Sequence, residues 1–313
     1  MGDTVPTWMH WAQQKLNAKP AMSSFILLDH QRGSIPLTVD RFHSLPIASL
    51  PPVCGVVDGG MSILWTSATQ VVGRLRIYGG IWRGHQQEHC NLQEHTLNIT
   101  FHDHQWYIET QNPTSLPPSI SSPSAEQTFA LCREFLEWSM AQELVRQLPE
   151  QALLVMDGSL LPEHPIIRSQ QGQLMIDAEH RSLTVVGLSK TTSLVTERGT
   201  AAPEALFALA PSDQRWYFTG EGSPITTHFC LLHKASQEIF RIDCSKTANT
   251  ATFLPSLASL ATDAFYPGYP YPLLRAHLLA RIRESDTERY RKLFESCTPR
   301  RQGMTGHDIL DTL

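Results

Sequence analysis

The chain has no apolar run that approaches the length of a membrane span, about 18 residues or more, so a bilayer-crossing helix is not expected. Its first residues, Met1-Gly2-Asp3-Thr4-Val5-Pro6, lack the basic-then-apolar pattern of a secretory signal, and Pro6 stands where a myristoylation motif wants Ser or Thr. Cysteine is sparse and scattered: Cys54, Cys90, Cys132, Cys230, Cys244 and Cys297 form no Cys-x-x-Cys pair, which argues against a zinc ribbon and for reduced thiols in a cytoplasmic protein. Charged residues make up 18% of the chain and the net charge is −5, so any surface for nucleic acid has to be local. No internal repeat of about 20–50 residues is visible. What is present is a chain of 313 residues, 41% of them hydrophobic, long enough to bury a large core as one big domain or two intimate ones.

Within that chain, Leu153-Leu154-Val155-Met156 runs directly into Asp157-Gly158. A short continuous apolar run suits a strand buried on both faces, and an acid at its end must be solvated, paired or bound to a cation. The same grammar occurs at Val53-Cys54-Gly55-Val56-Val57, which leads into Asp58-Gly59-Gly60. Two buried strands that each deliver a carboxylate to a glycine-rich end point to a shared cation site, although an acid in this position also serves simply to cap a turn.

The chain opens with an amphipathic pattern over Thr7–Leu16, whose Trp8, Met9 and Trp11 form a stripe suited to core packing or a dimer contact. Residues 24–57 read as loops and edge strands; Val71–Tyr78 and Leu97–Phe101 alternate as half-exposed antiparallel strands do. Prolines 113, 117, 118 and 123 among serines mark residues 112–124 as a linker. Ser124 with Gln127 makes a capping box for a helix that runs to Pro149 and carries Glu134, Glu137 and Glu143. Further strands are expected at Leu183–Leu188 and Arg215–Phe218, with a hairpin of Phe229–Leu232 and Ile239–Ile242. A final helix begins at the prolines of Tyr266–Pro272 and carries His277. Strands, a helix, more strands and a terminal helix give a mixed α/β architecture.

The ligands on offer are Asp58, Asp157, a glutamate of the central helix and His277, a set that selects hard cations such as Mg²⁺ or Mn²⁺, with the imidazole tilting the balance towards Mn²⁺. Two such ions would clamp the attacking water and the leaving oxygen of a phosphodiester. The histidines at 85, 89, 95, 102 and 104 match no closed zinc site and are expected on exposed alternating strands.

Four blocks, Val56-Val57-Asp58-Gly59, Val155–Leu160, Val186–Thr191, and Tyr269–Leu273 with Ala276-His277 and Ala280–Ile282, resemble in order those of the NurA nuclease domain, an RNase H-like module. The resemblance covers roughly 50–285, with 1–49 as an N-terminal extension and 286–313 as a basic helical tail. It implies a Mn²⁺-dependent DNA nuclease, exonuclease or endonuclease, dimeric and working with a HerA-type hexameric ATPase in DNA end resection and repair. The metal ligands it implies are Asp58, Glu137, Asp157 and His277, with Glu134 the rival of Glu137 one turn away. Lys190 would stabilise phosphate charge, and Tyr269, with Tyr271 as its rival, would stand beside the site. Two ions are implied, Mn²⁺ with Mg²⁺ as the alternative. One departure is Gly60, where the family usually has Ser. A non-catalytic DNA-binding or ATPase-partner subunit on the same fold is the alternative function. Between 271 and 301, eight Lys/Arg face four acids, so this segment suits phosphates or an acidic partner, or is a solvated helix face.

Overall fold

The computed structural model describes residues 24–28, 33–48, 52–111, 116–220 and 222–297. The expected helix over 7–16, with Trp8 and Trp11, and the arginines at 300 and 301 lie outside these residues. In chain order the strands are β1 Phe25–Leu27, β2 Ser34–Pro36, β3 Phe42–Ser44, β4 Val53–Thr66, β5 Gln70–Arg83, β6 Gln86–His102, β7 Gln105–Thr110, β8 Ser119–Ile120, β9 Leu153–Asp157, β10 Thr184–Ser189, β11 Trp216–Phe218, β12 Ile225–Leu231 and β13 Phe240–Ser245. The helices are α1 Ala125–Gln147, α2 Pro165–His180, α3 Ala202–Leu209, α4 Thr250–Leu260, α5 Tyr271–Ala280 and α6 Glu284–Cys297. The protein is therefore mixed α/β, as its pattern predicts. Among the described residues, no helix is long and apolar enough to cross a membrane.

The chain divides into two compact units. The first comprises Pro51–Asp157, Leu161–Val185 and Tyr271–Leu313. Its strand order is β9-β4-β5-β6-β7-β8, with β9 parallel to β4 and the other pairs antiparallel. The buried run that leads into Asp58 does not end there but continues as one long β4, because β5 pairs with it from Val53 to Thr66 through an irregularity at Ile63/Trp65. Within the expected linker over 112–124, Ser119 and Ile120 form β8 and pair with Tyr107 and Trp106.

Successive residues of a strand point to opposite faces, and β4 shows what covers each one. Odd-numbered Gly55 and Gly59 face α1, through Leu144 and Glu137 respectively. On the even-numbered side, Gly60 faces the end of α5, and the Ser62 hydroxyl lies 2.8 Å from that of Thr287 on α6. Helix α1 begins where its cap predicts, the Ser124 side chain accepting from the Gln127 N–H, and buries Phe129, Leu136, Met140 and Leu144. Polar α2 packs beside it, with the Gln170 amide donating to Ser139 Oγ at 3.0 Å. Of the five histidines expected on exposed strands, His95 is a correction: it points to the α1 side, is buried, and burial holds its pKa below the usual value.

The second unit comprises Met1–Leu50, Gly158–Leu160 and Val186–Pro270. Its strands follow the order β3-β11-β12-β13-β10, all antiparallel, and β12 and β13 form the expected hairpin. The small β1–β2 pair and α3 close an apolar core of Ile26, Ile35, Leu206, Trp216, Phe218 and Phe229. Beside this core lies a buried polar knot. Fully buried Asp243 accepts from Thr227 Oγ1 (2.7 Å) and Arg241 Nε (3.0 Å) on one oxygen, and from Ser159 Oγ (2.7 Å) and the Leu160 N–H (3.3 Å) on the other. With both oxygens doubly satisfied and a guanidinium as partner, this carboxylate is a structural pin.

Candidate metal centre

The first unit brings Asp58, Asp157 and His277 together: one ligand atom from each lies within 4.8 Å of the others. The parallel register Val57↔Met156 explains the two acids, since the next residue on each strand is an aspartate and paired residues share a face. Asp58 is held at both oxygens. Oδ1 accepts the Gly59 N–H at 2.7 Å, and Oδ2 lies 3.0 Å from His277 Nδ1. The Asp58 side chain is 5% exposed whereas that of His277 is 44% exposed, so the cluster opens to solvent on the histidine side.

Helix α5 reaches Asp58 because Gly60 has no side chain. A Cβ there would overlap the Ala280 carbonyl oxygen, and the Arg281 carbonyl beyond it accepts from Arg76, the β5 partner of Gly60. This gives a physical reason for glycine where the resembled family has serine. The neighbouring glycine does the same for α1, since a Cβ on Gly59 would overlap the Glu137 carboxylate.

Glu137 stands apart from the three clustered ligands. It approaches β4 from the α1 side and is clasped by Arg133 one turn earlier, whose Nη1 also donates to the Gly59 carbonyl at 3.3 Å. Burial pushes the Glu137 carboxyl up to about 8, with Arg133 pulling it back and Asp58, Glu134 and Asp157 adding to the rise. Its rival Glu134 is half-buried and faces Trp138, His164 and Glu163; burial raises its pKa against the pull of Arg133. Asp58 and Asp157 both contribute to the raised pKa of Glu137.

The remaining expected residues divide between the units. Tyr271 belongs with the cluster's unit and packs edge-on against Trp82 (5.8 Å between ring centroids) and beside His85. Lys190 and Tyr269 belong to the other unit, where the Lys190 ammonium lies 4.7 Å from the centre of the buried Tyr269 ring. Arg133 was missed by the sequence reading, although its i,i+4 spacing to Glu137 on a capped helix is the signal that could have found it.

The donor set fits a divalent cation. Two carboxylates and one imidazole offer hard and borderline ligands without any thiolate, and their convergence leaves two negative charges to be compensated.

No family model matches the chain, and neither does any curated protein. Solved structures do. The NurA nuclease from Sulfolobus solfataricus superposes with a TM-score of 0.57 at 15% identity, over 82% of this chain and 88% of that one. The catalytic domain of human Endonuclease V gives 0.41 at 14% identity, over 81% and 92%. Ciona intestinalis Endonuclease V, in complex with inosine-containing DNA, gives 0.44 at 11% identity, over 80% and 92%. The chain thus has a NurA-like nuclease fold.

Proposed function

We propose that the protein is a divalent-metal-dependent DNA nuclease that hydrolyses phosphodiester bonds. The observation that carries this reading is the convergence of Asp58, Asp157 and His277 on one face of β4 and β9, in a chain with the fold of a nuclease. Asp58, Asp157 and His277 would hold the cation, with Glu137 beside them. When bound, the ion supplies a Lewis acid that activates water and offsets charge on the phosphodiester. The Gly59 N–H fixes one oxygen of Asp58, and the Asp58–His277 contact orients the imidazole on α5. Hydrolysis joins the water oxygen to phosphorus, and the P–O ester bond breaks as its oxygen takes up a proton.

Lys190 is assigned to neutralising phosphate charge, and Tyr269 to the catalytic set, on the resemblance of their sequence blocks. The resemblance likewise supports Mn²⁺ as the preferred ion with Mg²⁺ as the alternative, a dimer, and a HerA-type translocase as partner in end resection. It also supports a nuclease domain over 50–285, flanked by an extension over 1–49 and a basic tail over 286–313.

Purified protein should cleave single- or double-stranded DNA in the presence of Mn²⁺, and Asp58→Asn should abolish cleavage while leaving the melting transition in place. A parent protein with no metal-stimulated cleavage, alone or with its ATPase, would overturn the reading in favour of a non-catalytic subunit.

A further inference from the structure

We infer that Arg133 is the resident counter-cation of Glu137 and limits the centre to one divalent ion until substrate phosphate arrives; this deepens, and rests on, the metal-centre reading above. Three observations carry it. The Glu137 carboxylate is turned towards Arg133 and the Gly59 backbone and lies outside the group formed by Asp58, Asp157 and His277. Its side chain is 8% exposed and that of Arg133 31%, so the acid is the more deeply buried partner and depends on the guanidinium for charge compensation. The same Arg133 nitrogen is tied to the Gly59 carbonyl, one residue from Asp58, which pins the cation beside the cluster.

The charges then balance in two separate sets. Asp58 and Asp157 together match one divalent ion. Glu137, in its ionised form, is matched by Arg133. A second ion that drew on Glu137 would have to displace a half-buried, doubly anchored guanidinium, or arrive with negative charge of its own, as a phosphodiester supplies. An i,i+4 pair on an open helix face contributes little and would not hold an acid this way. This pair is turned inward, against β4.

The test is a Mn²⁺ titration of the full chain without DNA, following free Mn²⁺ by its paramagnetic resonance signal at pH 8. The parent should bind one equivalent tightly. Glu137→Gln should weaken that site roughly tenfold by leaving Arg133 uncompensated, and the double variant Arg133→Met/Glu137→Gln should return it to within about threefold of the parent. Arg133→Met alone should gain a second equivalent, whereas Arg133→Lys should stay at one. Circular dichroism checks folding, and if Arg133→Met does not fold, the double variant decides. Two equivalents of comparable affinity in the parent, or a double variant as weak as Glu137→Gln, would overturn the counter-cation role while leaving the metal centre standing. A parent that binds no Mn²⁺, with Asp58→Asn indistinguishable from it, would instead overturn the metal-centre reading itself.

Discussion

His277 Nδ1 and Asp58 Oδ2 lie 3.0 Å apart although 219 residues separate them in the chain. The contact joins the C-terminal half of a helix to the middle of a long strand, and it exists because α5 docks on the even-numbered face of β4. His277→Ala should therefore weaken Mn²⁺ binding by about 10–100-fold and lower cleavage in parallel. Because the imidazole is 44% exposed, its loss should leave thermal stability nearly unchanged. A variant that unfolds readily yet cleaves normally once folded would show a packing role instead.

Introducing the serine found in the resembled family should harm this protein. In Gly60→Ser the new Cβ would press on the Ala280 carbonyl, a backbone atom that cannot rotate away. The expected cost is about 1–3 kcal/mol of stability, with α5 displaced from Asp58 and turnover reduced. Urea denaturation and Mn²⁺-dependent cleavage together check this, and unchanged values in both would mean that the helix yields freely.

The second unit is predicted to fail at Asp243. Asp243→Asn keeps the volume but removes the charge facing buried Arg241 and one of the acceptors serving Thr227 and Ser159. Breaking a buried pair in this way costs about 3–5 kcal/mol. Urea denaturation of the variant beside the parent checks this, and an unchanged midpoint would show that the pin carries no stability.

His228 supplies an acid sensitivity. Buried in β12, its Nδ1 accepts the Gly220 N–H, and burial lowers its pKa to about 4 against the pull of Asp243 and a Phe218 backbone hydrogen bond. The unfolded chain binds this proton near pH 6.5 and the folded chain only near 4, so the contribution is complete above 6.5 and is lost as pH falls between the two. About 3 kcal/mol is at stake over the whole window, of which about 2 kcal/mol falls between pH 7 and pH 5. The raised carboxyl of Glu137 works with the opposite sign, so His228→Gln must be compared with the parent at pH 7 and pH 5. The variant should show the flatter loss on acidification; an equal loss in both would exclude His228 as the cause.

The sequence made the strands that end in Asp58 and Asp157 legible because each is an uninterrupted apolar run with a charge at its boundary, and α1 legible because Ser124 and Gln127 announce its start. Helix α2 was not legible. It is rich in glutamine, has Gly172 in its middle and buries only Ile167, Leu174 and Ala178, so its helical period is carried by too few apolar residues. Strand β8 hid among prolines because two residues pairing with an edge carry no pattern of their own. At the site, the identities of the two aspartates and the histidine were readable. The faces were not: nothing in a list of residues shows that Glu137 arrives from the opposite side of β4, or that Arg133 is what meets it.

Adjacent glycines at 59 and 60 thus put β4 in phase with two helices at once. An insertion or deletion of one residue between Asp58 and Gly60 would exchange the faces, presenting to α5 what α1 requires and the reverse. The turn at Ser67-Ala68-Thr69, exposed and beyond the last of these contacts, carries no such phase and can change length without moving either helix. Chain-length variation in this protein should therefore be tolerated at the far end of the β4–β5 hairpin and forbidden within three residues of Asp58, a boundary drawn by the alternation of the strand and independent of which metal the cluster holds.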